Sequence, residues 1–491
     1  MGEAQSAAVI GSGPNGLAAA VTLARAGVPV TLFEAAETIG GGTRTSEAVR
    51  PGVLHDVCSA IHPLALATPF FREFELERRM RFAVPDASYA NPLDGGAAAV
   101  AFRDIDRTAA ELGRDGEAYR RFYRPVLDRL EGVVDFALGG SVLRWPRDVP
   151  GAVVAALRTI EQGGPLWNLR FHEEAAPALF GGVAAHTVGR MPALAGAAAG
   201  LLLGALGHAR GWPVPVGGSR RISDVLADDL LRHGGRIETG HAIDDARELG
   251  GYGALLFDTS ARGLARIAGE RLPPRYRRAL ERFEYGDGAT KLDLLLDGPI
   301  PWADPRVAET ATVHIGGSRS EIAAAEREVS RGAHPERPYV LLAQPTAFDP
   351  GRNPAGSHAV WSYTHVPRGS RLDMRERVIR QIERFAPGFR DRIVGVQQTT
   401  AAELSVYNRN YVGGDFSSGA VRLGQLLARP VASRDPWRSP TPGIYLASSS
   451  ASPGPGVHGL SGWYAAISAL RNEFGLPAPR LGLDVPPPPR P

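Results

Sequence analysis

The chain has 491 residues, 44% of them hydrophobic and 22% charged, which is the balance of a soluble globular protein of roughly two to four domain-sized units. A net charge of +3 supplies no basic field, so nucleic acid is not an expected partner. One cysteine, Cys58, excludes disulfides within the chain, CxxC redox pairs and cysteine-based zinc sites.

The first residues, MGEAQSAAVIGSG, place no basic stretch ahead of the apolar run, so no signal peptide is expected. With the single thiol, this points to a reducing, cytoplasmic location. Among 55 basic residues only Lys291 is a lysine. In a sequence where Arg has replaced Lys almost everywhere, the survivor marks a place that a broad, permanently charged guanidinium cannot fill.

In chain order, residues 7–11 (AAVIG) predict a buried strand, 15–26 a helix and 29–34 (PVTLFE) a second strand, the opening of a βαβ unit. Residues 105–140 have helical periodicity, and 152–210 are Ala/Gly/Leu-rich and mostly helical. Within the latter, 191–207 is an uncharged run of marginal length for a membrane span, so a buried helix or a wall of an apolar cavity is expected. A Pro/Gly hinge at 211–218 leads into a helix (SDVLADDLLRHGG) and a strand (RIETG). Further strands are expected at 253–258 (GALLFD), 289–302 and 443–448, and helices at 372–389 and about 460–472. The end, DVPPPPRP, predicts a polyproline tail without a packed role.

Gly11, Ser12, Gly13, Pro14, Asn15 and Gly16 form GxGxxG between a predicted strand and helix. That context makes it a dinucleotide turn: the glycines let the backbone approach a pyrophosphate, and the helix N-terminus faces the phosphates. Glu34 ends the second strand, 18 residues after Gly16, placed to accept from a ribose hydroxyl and to repel a 2′-phosphate.

Beyond this turn, Gly40-Gly41-Gly42-Thr43-Arg44-Thr45 resembles the second glycine motif of FAD-dependent oxidoreductases of the amine oxidase and phytoene desaturase superfamily. TPGIYLASSSASPGPGVHGLSGWYAA (441–466) resembles that superfamily's C-terminal strand, turn and helix, and PVPVGGSRRISDVLADDLLRHGGRIETG (213–240) its central segment. LDGPIPW, YNRNYVGGDF (407–416) and ARP (428–430) look most like the bacterial phytoene desaturase-like branch, the relatives of pyridine nucleotide-disulfide oxidoreductase domain-containing protein 2. The disulfide part of that description does not transfer, because a chain with one cysteine has no CxxC.

The resemblance implies FAD as cofactor. Beside the first turn and Glu34, the contacts it implies are Ala35, Gly41, Gly42, Thr43, Arg44, Ile61, His62, Ala242, Ser449, Gly456 and Val457, with Arg44 serving the diphosphate. It also implies that Lys291, on a substrate-domain strand with Trp302 at its end, reaches flavin N5 through a water, and that VLHDVCSAIHP passes under the flavin ring. His55 and His62 from that segment and His458 in PGPGVHG are candidate catalytic groups, each with a plain structural role as its alternative. His55 and His62 have no evident third ligand, so no metal is expected. His208, Trp212, Trp361, Tyr363 and His365 either line the cavity or pack the core, and Cys58 is expected to be buried and inert.

The expected fold is α/β: a discontinuous Rossmann-like FAD-binding domain (1–70, 213–265 and 430–475), an inserted α+β substrate domain (71–212 helical, 266–429 sheet) and a Pro-rich tail (476–491). The expected reaction is hydride transfer from a substrate C–H bond to flavin N5, with desaturation of a small apolar isoprenoid- or acyl-like substrate as first choice. Oxygen or a quinone would be the electron acceptor. An amine oxidase producing peroxide is the second choice, and a redox-neutral flavin isomerase or FAD-stabilised scaffold a third. Peripheral membrane contact is left open, and the sequence assigns no oligomeric state.

Overall fold

The computed structural model describes residues 6–141 and 143–483. Two sheets organise it. The first is five-stranded and parallel, in the spatial order Ile444–Leu446, Ala254–Phe257, Ala7–Ile10, Val30–Phe33, Arg236–Glu238. Its central strand, AAVI, is buried along its whole length, as expected of a parallel strand covered on both faces.

The helix Pro14–Arg25 follows that strand directly and starts on a proline, whose missing N–H is no loss at a first helical position. The C-terminal helix Leu460–Ala469 crosses it so closely that a side chain at Gly462 would lie 1.7 Å from the Asn15 carbonyl oxygen. This contact brings the two ends of the chain together over the glycine turn. On the other side, Arg25 and Arg79 share the buried carboxylate of Asp229 at 2.7 and 2.8 Å.

The second sheet has seven strands in the order Ile393–Thr399, Gly288–Leu296, His358–Val366, Val340–Ala343, Thr312–Ile315, Ala87–Pro92, Ala98–Phe102. All neighbours are antiparallel except Thr312–Ile315 with Ala87–Pro92. The register aligns Lys291, Tyr363, Leu341 and His314 in one row across four strands. The next row is Asp293, Trp361, Ala343 and Thr312. Side chains of residues two apart on a strand share a face, so both rows belong to one face of the sheet.

The segment 71–212, expected to be the helical part, also contributes the last two strands of this sheet. The uncharged run at 191–207 forms most of the helix Leu194–Ala209, which is a core element. Its glycines receive neighbours: a side chain at Gly200 would touch Ala184 at 3.1 Å, and one at Gly204 would meet the Tyr123 hydroxyl at 2.3 Å. Among the described residues, no helix is long and apolar enough to cross a membrane.

Residues 476–483, expected as the start of a free tail, are held to the body. Leu481 is fully buried, the Arg25 guanidinium donates to the Gly482 carbonyl at 3.0 Å, and Leu483 N–H donates to Glu75 at 2.7 Å. The residues DVPPPPRP themselves lie outside the described residues.

Candidate active site

A cavity of about 960 Å³ runs from the glycine turn at the edge of the parallel sheet to the face of the seven-stranded sheet. At its first end the turn is compressed. Gly11 has φ of +102°, and a side chain there would meet the Asp258 carbonyl oxygen at 2.6 Å. Gly11, Ser12, Gly13, Pro14 and Asn15 all line the cavity. Gly16 does not, because it is pressed onto the Gly11 carbonyl, where a side chain would come within 2.0 Å.

Glu34 and Ala35 also line this end. The Glu34 carboxylate is held in place from three directions. Ser12 donates to it from its backbone N–H at 3.0 Å and from its hydroxyl at 2.5 Å, Ala36 N–H donates at 2.9 Å, and Arg44 pairs with it at 3.1 Å.

The second glycine motif covers the first. Gly41 and Gly42 line the cavity, with Gly41 at φ of +52° and so close that a side chain would lie 2.9 Å from Gly13 Cα. Thr43 stands behind the wall, bonded to the Gly40 carbonyl at 2.8 Å and to the Ser223 hydroxyl at 2.6 Å. Arg44 does line the cavity. It donates to the Thr38 carbonyl as well as pairing with Glu34, and so sits at the Glu34 end. Ala242, Ser449, Gly456, Val457, Ile61 and His62 complete the expected cofactor contacts, and all of them line the cavity.

These residues fit FAD. A squeezed glycine turn opens a helix with no side-chain cap, a carboxylate is poised at the neighbouring strand end, and the buried Asn15 Oδ1 has no protein partner. The first βαβ alone does not separate a nicotinamide from a flavin dinucleotide. The return of Ser449, Gly456 and Val457 to the same cavity suits the longer cofactor.

The candidate catalytic groups are dispersed. His62 lines the cavity with Nε2 bonded to the Ser219 hydroxyl at 2.7 Å, and burial lowers its pKa to about 4. Neighbouring Asp56 is tied to the buried Arg352 at 2.7 Å. His55 lies off the cavity, with Nε2 bonded to the Leu294 carbonyl at 3.2 Å. Burial lowers its pKa also.

Lys291 is buried on the strand Gly288–Leu296, and its ammonium pairs with Asp293 two residues along the same face. Tyr363 and Trp361, the cross-strand partners of this pair on the same face, line the cavity, whereas Lys291 does not. His458 caps the C-terminal helix: its Nδ1 accepts from Leu460 N–H at 3.0 Å and its Nε2 donates to the Gly454 carbonyl at 3.1 Å. That leaves its ring no face to the cavity.

Of the other residues singled out in the sequence, Trp212, Trp361 and Tyr363 line the cavity. His208 is bonded in the core to Tyr119 at 2.9 Å and to the Phe102 carbonyl at 2.7 Å, and His365 to Glu326 at 2.6 Å. Cys58 is a correction. It lines the cavity in a half-buried position, although burial pushes its thiol pKa up and keeps it protonated.

Sequence reasoning missed three groups at the site. Asp258 ends the strand Ala254–Phe257 and turns its carboxylate under the glycine turn. Burial and the charge of Glu34 raise its pKa to about 7. Its position at the end of the apolar strand GALLFD was the available signal. Asn410 accepts from Ser260 N–H at 2.7 Å, and Tyr411 stands over Gly42; both lie within the YNRNYVGGDF segment. His186 and His314 share an Nε2–Nε2 hydrogen bond of 2.8 Å at the cavity wall, and burial lowers His186 to about 3. Nothing local in the sequence pairs them.

The fold and this site together define an FAD-dependent oxidoreductase. Residues 9–74 match the NAD(P)-binding Rossmann-like domain family model. The chain is 25% identical to pyridine nucleotide-disulfide oxidoreductase domain-containing protein 2 of Rattus norvegicus, over 95% of this chain and 93% of that one. It is 28% identical to hydroxyneurosporene desaturase of Cereibacter sphaeroides, over 94% and 97%. In fold it is similar to a triple mutant of putrescine oxidase (TM-score 0.60, 15% identity, 95% and 99% covered). It is likewise similar to cyclohexylamine oxidase of Brevibacterium oxydans (TM-score 0.56, 14% identity, 96% and 99% covered).

Proposed function

We infer that the chain removes hydride from a C–H bond of an apolar, isoprenoid- or acyl-like substrate and leaves a carbon–carbon double bond. The observation that carries this reading is the charge distribution of the cavity. Its acidic lining residues, Glu34, Asp244 and Asp258, all lie toward the parallel sheet. Toward the other end, the helix Leu194–Ala209 presents Ala195, Ala198, Ala199, Leu202 and Leu203, joined by Ala137 and Leu138. Among the described lining residues, no carboxylate on that side is available to pair with a substrate ammonium. A wall of methyl and isobutyl groups favours a hydrocarbon chain by area removed from water.

Bound FAD would supply the hydride acceptor at N5, later returned to its oxidised state by oxygen or a quinone. The protein's part is to hold the dinucleotide through the glycine turn and Glu34, and to align the substrate between the helix wall and the Trp361–Tyr363 face. Desaturation also releases a proton from the adjacent carbon. His62 lines the cavity, but burial lowers its pKa to about 4 and makes it a weak base, so the proton passes to water.

A second reading, amine oxidation with release of peroxide, rests on the aromatic corner. Trp361 and Tyr363 meet edge to face at 5.3 Å, and Tyr363 and Phe416 at 5.1 Å. Anaerobic addition of candidate substrates to the flavin-loaded protein separates the readings. Bleaching of the flavin bands by a polyene or acyl compound, and not by amines, is the expected result. Bleaching by an amine alone, with peroxide formed on admitting air, would replace the first reading with the second. Resistance to both would move weight to a redox-neutral isomerase or scaffold.

A further inference from the structure

The helix Val149–Gly163 is inverted for a surface helix. Apart from Gln162, bonded to Arg319 at 3.0 Å, the residues it buries are small: Gly151, Ala152 and Ala155 are buried, and a side chain at Gly163 would lie 2.7 Å from Leu194 Cα. The residues it turns outward are Val149, Pro150, Val153, Ala156, Leu157 and Ile160, all exposed. Val149, Val153, Leu157 and Ile160 recur at i, i+4, i+8 and i+11, so a stripe about three turns long faces outward with no polar side chain in it. An ordinary surface helix points its large apolar residues the other way.

Beyond the helix, Leu166 and Leu169 are 60% and 71% exposed, and before it Leu143 and Trp145 are 54% and 80% exposed. Single exposed leucines are unremarkable, but a contiguous set of this size on a folded chain marks a covered surface.

The surroundings indicate what covers it. Between 143 and 170 there are four arginines, Arg144, Arg147, Arg158 and Arg170, and two acids, Asp148 and Glu161. Both acids are paired within the chain, Asp148 with Arg129 at 3.1 Å and Glu161 with Arg158 at 3.0 Å. Arg147 projects beside the stripe, 3.9 Å from its nearest acid, Asp135. A tryptophan and arginines bordering an apolar stripe suit the boundary between acyl chains and phosphates. The terminal segments MGEAQ (1–5) and DVPPPPRP (484–491) contain no run of large apolar residues.

The stripe also lies next to the cavity. Its helix packs on Leu194–Ala209 and on Leu130–Leu138. In the latter, exposed Phe136 adjoins Ala137, itself exposed and lining the cavity.

We propose that this stripe docks the protein on the surface of a bilayer containing anionic lipid, with the helix Val149–Gly163 lying in the interface plane. Valine, leucine and isoleucine enter the acyl boundary, and Arg147 meets the phosphates, since Arg144 is already paired with Asp135 at 2.8 Å. The docking is a property of the surface and stands apart from which substrate is oxidised.

The test is flotation of the purified, FAD-loaded full chain with vesicles of phosphatidylcholine alone and of phosphatidylcholine with phosphatidylglycerol. The protein should rise with the vesicles, more strongly when the anionic lipid is present. The double variant V153E/L157E should lower vesicle partition at least about tenfold, because two aliphatic groups no longer enter the apolar boundary. Its flavin content and unfolding temperature should stay unchanged, since both positions face outward. The milder V153S/L157S should fall between, which keeps the test valid if the charged pair disturbs folding. Wild-type protein that stays below both kinds of vesicle overturns the proposal. So does a dimer, seen by sedimentation, that V153E/L157E converts to monomer without any vesicle binding, because that outcome assigns the stripe to a second copy of the chain.

Discussion

The carboxylate of Asp258 accepts a hydrogen bond from the backbone N–H of Gly16 at 2.9 Å, across 242 residues of sequence. It lies under the turn built to receive a diphosphate. A side chain at Gly13 would meet the same carboxylate oxygen at 2.5 Å. An acid here must be neutral when an anion arrives, and burial together with the Glu34 charge already raises its pKa to about 7.

Binding of FAD should therefore take up a proton at Asp258. The FAD dissociation constant should rise with pH above about 7, by at most about tenfold per pH unit, and D258N should flatten the dependence. Titration of flavin fluorescence from pH 6 to pH 9 reads this directly, and a pH-independent constant in the wild type rejects it. The sign for the empty fold is the same. The folded pKa is raised, so this group's contribution to stability is complete below the ordinary aspartate value of 3.8 and is lost as pH rises through about 7.

Glu34 offers its carboxylate to Ser12, Ala36 and Arg44 at the cavity edge. Hydrogen bonds to a charged group are worth about 1.5–3 kcal/mol, so E34A should weaken FAD binding about tenfold to a hundredfold. Flavin content after gel filtration measures it. Full occupancy in E34A would remove Glu34 from the cofactor site.

Lys291 and Asp293 form a buried pair beside Tyr363 and Trp361. Removing one partner of such a pair costs about 3–5 kcal/mol, because the other charge is left buried alone. K291M should lower stability by that amount, and K291M/D293L should recover most of it. If Lys291 acts in the chemistry, flavin reduction or reoxidation will remain slow in the stabilised double variant. If both half-reactions return to wild-type rates there, the lysine serves only the fold.

Gly462 is where the C-terminal helix crosses the Asn15 backbone. A methyl group there would lie 1.7 Å from a carbonyl oxygen, with no flexible side chain to yield. G462A should cost about 1–3 kcal/mol or more by overpacking and reduce FAD retention with it. G251A, with nothing within 4 Å of the added methyl, is the matched control. Equal unfolding temperatures for the two variants would contradict the crossing.

Much of the dinucleotide half was legible in the sequence because its signals are local. Gly11, Gly13 and Gly16 sit within six residues between a strand and a helix, and Glu34 follows at the end of the next strand. The second glycine motif and the C-terminal turn were legible by resemblance, and their residues meet at one cavity.

The opposite holds where partners come from distant segments. The pairing of Lys291 with Asp293 follows from alternation along one strand, but the register that sets Tyr363 and Trp361 beside them joins strands some seventy residues apart. Asp258 reads as the end of an apolar strand until folding brings Gly16 to it, and His186 meets His314 only through the packing of helix on sheet.

Hydropathy had the same limit. The Ala/Gly/Leu-rich stretch 152–210, with its uncharged run at 191–207, announces helix, yet periodicity records only that faces differ. Which face is covered was decided by neighbours. Glycines let Leu194–Ala209 sink into the core, and small residues on the inner side of Val149–Gly163 left its large ones facing outward. By itself the sequence determined a dinucleotide-binding βαβ unit and the carboxylate at the end of its second strand, because spacing within a few residues dictates them. Tertiary structure alone decided which charges stand at the cavity, which lysine contacts survive and which apolar face is left open, because each depends on what packs against it.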